Sequence, residues 1–297
     1  TVSALRIDML SRVIRTVIVV FAFVMLAACA QLGASRQIPE RELAAIDANQ
    51  LADSLFRRGD FEGAAKNYRE ALRIARSIEA VDDIAANVVN LSIALQRLGR
   101  PAEARAVLAL VGEQSVLSFA PTRLAQVALR RSILELEERQ LKTAAEWADK
   151  AGAYCKDASC SLLASVFNVK GQIALESASG QLAASNAVNA LKAARDSGNQ
   201  VEIANALRLL GQAATLKGDT REAYGHLSEA LEIDRQLGLP SRIGMDLVAF
   251  GKAKARGGDR RAAATYYERA LAVMEADRDV LAAATVRSLL HELGGTK

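Results

Sequence analysis

Between residues 45 and 293 apolar side chains recur at three- and four-residue steps and never alternate for long with period two, so the pattern predicts helices and no strands. The stretch from Leu207 to Ile233 shows the unit. Leu207, Leu210, Gly211 and Ala214 precede a Gly218-Asp219 pair, and Ala223, Leu227, Ala230 and Leu231 follow it. This is the pattern of two amphipathic helices joined by a tight turn. The unit repeats: Ala64, Ala104, Ala144, Ala183, Ala223 and Ala263 stand 40, 40, 39, 40 and 40 residues apart. Ala52, Ser92, Ser132, Gly171, Gly211 and Gly251 keep the same intervals, as do Ala71, Val111, Ala151, Ala190, Ala230 and Ala270. Three small-residue series in step over six periods predict stacked hairpins, since periods of roughly 20–50 residues mark solenoids.

The small residues have a steric reason, because helices approach closely only where no large side chain intervenes. One hairpin cannot bury its own apolar face, so neighbours must stack and stability becomes a sum over adjacent interfaces. Proline supports the boundaries. After Pro39 it occurs only at Pro101, just past the Gly99-Arg100 turn, and at Pro121 and Pro240 between repeats. None falls inside a proposed helix, where proline would remove a hydrogen bond and clash with the preceding turn. The second repeat is the weakest, with Val111-Gly112 expected inside its second helix at a cost of about 1 kcal/mol for the glycine. Val280–Leu293 continues the register as an unpaired helix. His291 stands there where earlier repeats carry Gly or Ala, as expected of a terminal cap over which nothing packs.

At these residues the chain resembles the tetratricopeptide repeat family: a small residue in the first helix, Gly59-Asp60-Phe61 at the turn, then Ala64, Tyr68 and Ala71 in the second helix. The resemblance covers roughly 45–293 and implies an all-α fold, a right-handed α-solenoid of about six antiparallel hairpins plus a C-terminal capping helix. It departs in its period of 40 rather than about 34, and in lacking the proline that often closes a repeat. Arg139 and Ala178 also stand at turn positions where Gly59 and Gly99 stand elsewhere.

Composition changes the picture mainly at the amino terminus. Of 297 residues 51% are hydrophobic but only 4% aromatic, so Ala and Leu must supply the core. Residues 16–28 form an uncharged run directly after Arg12 and Arg15, too short for a spanning helix of about 20 residues but fitting a signal-peptide core with a basic leader. Leu26-Ala27-Ala28-Cys29 resembles a bacterial lipobox, in which Cys29 would be acylated and become the first mature residue; the alternative is an ordinary signal peptide or short anchor with an accidental Cys. The expected division is a lipoprotein signal peptide over 1–28, the lipidated Cys29 with a flexible tether over 29–44, and the repeat domain over 45–297. Neither Ala30 nor Gln31 is acidic, which favours the outer membrane, facing the periplasm. Removing the leader leaves 35 basic against 33 acidic residues. With the charges interspersed along helix faces, no nucleic-acid partner is expected.

No catalytic constellation emerges, and neither an enzyme nor a cofactor is expected. His226 and His291 lie in different parts of the stack, whereas metal sites need several converging ligands. Trp147 sits in a second helix, where packing is the default. Cys155 and Cys160 flank four residues where the period slips to 39. In an oxidising periplasm they would pair, and in a cytosol they would remain thiols. The remaining surface is the inner face, whose first-helix side chains are named by analogy with the family: Asn49 and Asp53, Asn90 and Gln96, Gln126 and Arg130, Asn168 and Gln172, Asn205, Arg208 and Gln212, Lys252 and Arg256. Ile93, Leu129, Ile133, Val169, Leu209 and Val248 lie among them. Amides can pair with a peptide backbone while apolar neighbours receive its side chains; the alternative is a solvated helix face. The chain is therefore read as a membrane-anchored scaffold binding a peptide or protein of the cell envelope. Resemblance to tetratricopeptide lipoproteins implies pilus or secretion-pore assembly, outer-membrane assembly, or recruitment of cell-wall hydrolases. A peptide-sensing regulator whose superhelix changes on ligand binding is the alternative.

Overall fold

The structure is a computed structural model that describes residues 39–155 and 160–294. The leader, Cys29 and most of the tether lie outside the described residues. The chain divides into two compact units, 1–43 and 44–297, and the stacked hairpins make up the second.

Thirteen helices occur among the described residues, paired as the small-residue series predicts. They are α1 (Glu40–Arg57) and α2 (Phe61–Ser77), α3 (Val81–Arg97) and α4 (Pro101–Leu108), α5 (Pro121–Glu137) and α6 (Leu141–Tyr154), α7 (Leu163–Glu176) and α8 (Gly180–Asp196), α9 (Gln200–Lys217) and α10 (Thr220–Gln236), α11 (Pro240–Arg256) and α12 (Arg260–Ala276), then the unpaired α13 (Val280–Gly294). The first helix begins at Glu40, so residues 40–44, assigned to the tether from sequence, are helical. From the third hairpin onward, each second helix packs on its own first helix and on the first helix of the next hairpin, while first helices also touch their counterparts one repeat away. Six hairpins and a cap result.

The series explain the packing. Ala64, Ala104, Ala144, Ala183, Ala223 and Ala263 are all wholly buried. Ser132 sits at the matching crossing of the third hairpin, where its hydroxyl donates to the Ala144 carbonyl at 2.7 Å, so a small polar residue joins the two helices. His291 is exposed on the cap. The second repeat differs from expectation: α4 stops at Leu108 and never reaches Gly112, and residues 109–120 run on without helix. Val111 still contributes to the core, so burial of the series survives the loss of the helix that should carry it.

Each hairpin turns through one left-handed residue. Gly218 does so with φ +85°, and its counterpart Ala178 adopts φ +56°. Ala178 N–H to Leu175 O (2.9 Å) and Ser179 N–H to Ala174 O (2.8 Å) hold that conformation by satisfying the last carbonyls of α7. A Cβ in this region costs about 1–2 kcal/mol, and glycine returns about 0.4–1 kcal/mol through its freer unfolded chain. Since the Ala178 methyl is exposed and packs on nothing essential, Ala178→Gly is expected to stabilise the protein by about 0.5–1 kcal/mol, read from the urea midpoint. A lower midpoint would show that the turn is not limiting.

Candidate functional site

The inner helices of the later repeats surround a cavity of about 670 Å³. Its walls come from α5 (Ile133, Leu136, Glu137), α7 (Asn168, Val169, Gln172), α9 (Glu202, Asn205, Leu209, Gln212), α11 (Arg242, Met245, Val248) and α13 (Ala282, Thr285, Val286). The start of α13 also comes close to α3, which precedes this run. Arg97 at the end of α3 forms an ion pair of 3.4 Å with Asp279, which also caps α13 by accepting the Ala282 N–H at 3.1 Å. Residues 182 apart in sequence thus face each other.

Of the thirteen polar groove residues named from sequence, Asn168, Gln172, Asn205, Arg208 and Gln212 line this one cavity. Lys252 joins Gln172 and Gln212 in an adjoining concavity of about 360 Å³. Arg256 lines that concavity too, whereas Asn49, Asp53, Asn90, Gln96, Gln126 and Arg130 line neither. Two arginines read as partner contacts are occupied within the protein. Arg130 is buried, donates to Ser92 Oγ at 2.9 Å and also to Gln96, and burial pushes its guanidinium down to about 10. Arg208 donates through Nε to Asp246 (2.6 Å), through Nη2 to Asp234 (2.6 Å) and through Nη1 to Asn205 Oδ1 (3.0 Å). Arg208 therefore holds the stack together rather than awaiting an acidic partner. The physical reason is burial: an unpaired guanidinium there would be costly, so the fold supplies carboxylates from two further helices.

Sequence reasoning missed those carboxylates, although the register carried a signal. Asp234 stands in the series Ala75, Ala194, Asp234, Met274, and Asp246 in the series Val127, Val166, Ala206, Asp246, Val286. These residues are all buried, although the same registers also hold the half-buried Ser115 and the exposed Asp47, so burial of a charge at either position was favoured rather than dictated. Glu202, Glu137 and Arg242 were missed as well. Glu202 collects Ser165 Oγ (2.8 Å), Asn168 Nδ2 (2.7 Å) and Asn205 Nδ2 (3.1 Å).

Within the buried cluster, Asp234 Oδ1 and Asp246 Oδ2 have no hydrogen-bond partner. Burial raises the Asp246 carboxyl from 3.8 to about 7, and the neighbouring Asp234 adds to that rise against the pull of Arg208. The folded chain thus keeps a proton that the unfolded chain releases above about pH 4. By linkage, stability from this proton is complete below pH 3.8 and is lost as pH rises through about 7. The melting temperature of the wild type should fall between pH 4 and pH 8 more steeply than that of Asp246→Asn. An asparagine there can accept from Arg208 and donate to the free oxygen of Asp234 at any pH. Parallel pH profiles for the two proteins would show that Asp246 does not titrate in this range.

Elsewhere, Cys155 and Cys160 are joined by a disulfide with Cα atoms 5.3 Å apart. Trp147 is half-buried beneath Lys150 (4.2 Å) and Arg131 (5.6 Å), beside a concavity of about 780 Å³ left where α4 stops short. Among the described residues no group of three or more His, Cys, Asp or Glu is placed to hold a metal, and no helix is long and apolar enough to cross a membrane.

The fold is that of tetratricopeptide-repeat-like α-solenoids. Residues 42–111 match the tetratricopeptide repeat family model. Among solved structures, the chain is similar to a Rap protein complexed with Competence and Sporulation Factor, at 17% identity and TM-score 0.62 over 85% of this chain and 71% of that one. It is similar to BtubC (BKLC) from P. vanneervenii, at 17% identity and TM-score 0.54 over 80% of this chain and 92% of that one. It also resembles a signal transduction ATPase with a tetratricopeptide repeat sensor from Pyrococcus horikoshii, at 15% identity and TM-score 0.56 over 87% of this chain but only 38% of that one. No curated protein sequence matches the chain significantly.

Proposed function

We propose that the chain is a non-enzymatic docking scaffold that binds an extended peptide, or a peptide-like segment of a protein, in the cavity of the inner face. One observation carries the reading: the cavity presents buried amide oxygens with no partner, Asn168 Oδ1 and Gln212 Oε1, beside the apolar Val169, Leu209 and Val248. The side chain of Asn168 cannot be turned over, because its Nδ2 already donates to the Glu202 carbonyl (3.1 Å) and carboxylate (2.7 Å). Its Oδ1 is therefore committed to receiving a hydrogen from elsewhere. A peptide backbone supplies N–H groups at regular spacing and side chains for the apolar wall, and the cavity is of ligand size. A chain of the same fold, the Rap protein, was solved holding Competence and Sporulation Factor. The basic leader and Leu26-Ala27-Ala28-Cys29 support placing this scaffold in a bacterial envelope, anchored by lipid on Cys29 and turned toward the periplasm.

The test is a binding isotherm against whichever partner the mature chain captures from envelope extracts. Replacing Asn168, Gln172 and Gln212 together by Ala should weaken binding about a hundredfold, at about 0.5–1.5 kcal/mol for each lost hydrogen bond. Helicity should be retained. Equal affinity for the triple variant and the wild type would move the binding surface off this face.

A further inference from the structure

We propose that the segment taken up by the cavity carries a lysine or arginine side chain next to an aliphatic one, the cation facing Glu137 and Glu202. The inference rests on the docking reading above and names the chemistry of its occupant.

The polar groups of the cavity fall into two sets. Two of its three arginines are held by carboxylates of the protein. Arg208 is held by Asp234, Asp246 and Asn205, and Arg139 is paired with Glu176 at 2.8 Å. Arg242 donates to Asn205 Oδ1 and has no carboxylate at ion-pair distance among the described residues; burial and the neighbouring Arg208 push its guanidinium down, against the pull of Asp234, Glu202 and Asp246. The other groups left over are acceptors. Glu202 accepts three side-chain hydrogen bonds, all from neutral donors, and no cation lies within 4.0 Å of it among the described residues. Glu137 has neither a hydrogen bond nor an ion pair among the described residues; burial pushes its carboxyl upward, against the more distant pull of Arg130 and Arg97. Asn168 Oδ1, on a side chain only 7% exposed, and Gln212 Oε1 await donors. Against the one guanidinium without a carboxylate partner, Arg242, the cavity thus leaves two carboxylates and two amide oxygens, an excess of acceptors and of negative charge. An ammonium brings three N–H donors and a guanidinium five, with the matching charge. An acidic side chain would instead meet two carboxylates against the single unpaired guanidinium of Arg242. Beside them Met245, 49% exposed, and Leu209 and Val248 offer an aliphatic wall.

The probes are three labelled pentapeptides with blocked ends, Ala-Lys-Leu-Lys-Ala, Ala-Gln-Leu-Gln-Ala and Ala-Glu-Leu-Glu-Ala, titrated into the full chain by fluorescence anisotropy. The basic peptide should bind about tenfold more tightly than the neutral one, and the acidic one more weakly than either. Raising the salt should shrink that preference, because the ion pairs are partly open to solvent. Glu137→Gln should bring the basic and neutral peptides toward parity; no hydrogen bond is lost with it, and because its charge also lies in the field of the buried Arg130, a thermal melt checks that the variant is folded. Glu202→Gln is the second variant, and Glu229→Gln on the exposed face of α10 should leave the preference unchanged. Equal binding of basic and neutral peptides, no binding of the basic one, or an undiminished preference in both cavity variants would each overturn the proposal. The docking reading is judged separately, by the alanine triple variant against the captured partner.

Discussion

Replacing Arg208 by Met should cost about 3–5 kcal/mol, the range expected when one partner of a buried ionic cluster is removed and the others stay behind without compensation. Here the residues left behind are Asp234 and Asp246, both wholly buried and each already carrying one oxygen without a partner. Apart from the proton Asp246 retains, the guanidinium is all that compensates them at contact distance among the described residues. Desolvation of the charged groups opposes their attraction, so removing the whole cluster should cost far less than removing one partner. The repeats themselves supply the comparison. The registers of Arg208, Asp234 and Asp246 hold Leu129, Met274 and Val286 elsewhere in the chain. The triple variant Arg208→Leu, Asp234→Met, Asp246→Val should therefore recover most of what the single variant loses. Urea denaturation of the two variants against wild type makes the measurement. A single variant within about 1 kcal/mol of wild type would mean that water reaches the carboxylates.

The second large effect lies at a helix crossing. A Cβ built at Gly211 would stand 2.6 Å from Leu227 Cγ and 3.1 Å from the Ala223 carbonyl oxygen. Neither neighbour is the free end of a flexible chain, so α9 and α10 would have to separate. Overpacking of this kind costs about 1–3 kcal/mol. Gly211→Val, with two further methyls, should fall at or beyond the upper end of that range, because the helix-propensity gain over glycine is well under 1 kcal/mol. Gly225, in the partner helix of the same hairpin, is exposed and has nothing within 4 Å of an added Cβ. There Gly225→Ala should stabilise by about 0.5–1 kcal/mol. Thermal melts of the two variants should move in opposite directions. If both rose, the small residue at position 211 would have no steric cause.

The hairpins, their boundaries and the places where helices cross were legible in the sequence because a solenoid is built from nearest-neighbour contacts. The same spacing must recur wherever the same contact is made, and Ala64, Ala144 and Ala223 lie one after another at the same buried crossing. Part of the cavity wall was legible as well, since helical phase read with the family resemblance puts Asn168, Gln172 and Gln212 on the face that lines it. Other features depended on contacts that no single repeat contains. Whether Arg208 meets a ligand or Asp234 and Asp246 depends on α10 and α11, which close over it from later in the chain. Gly112 was expected inside a helix, but α4 ends four residues before it. The pairing of Arg97 with Asp279 follows from curvature, which accumulates from a small rotation at each repeat and has no mark in the period itself. Sequence determined the repeat; the tertiary structure alone decided how tightly the repeats curl and which charges that curl brings together.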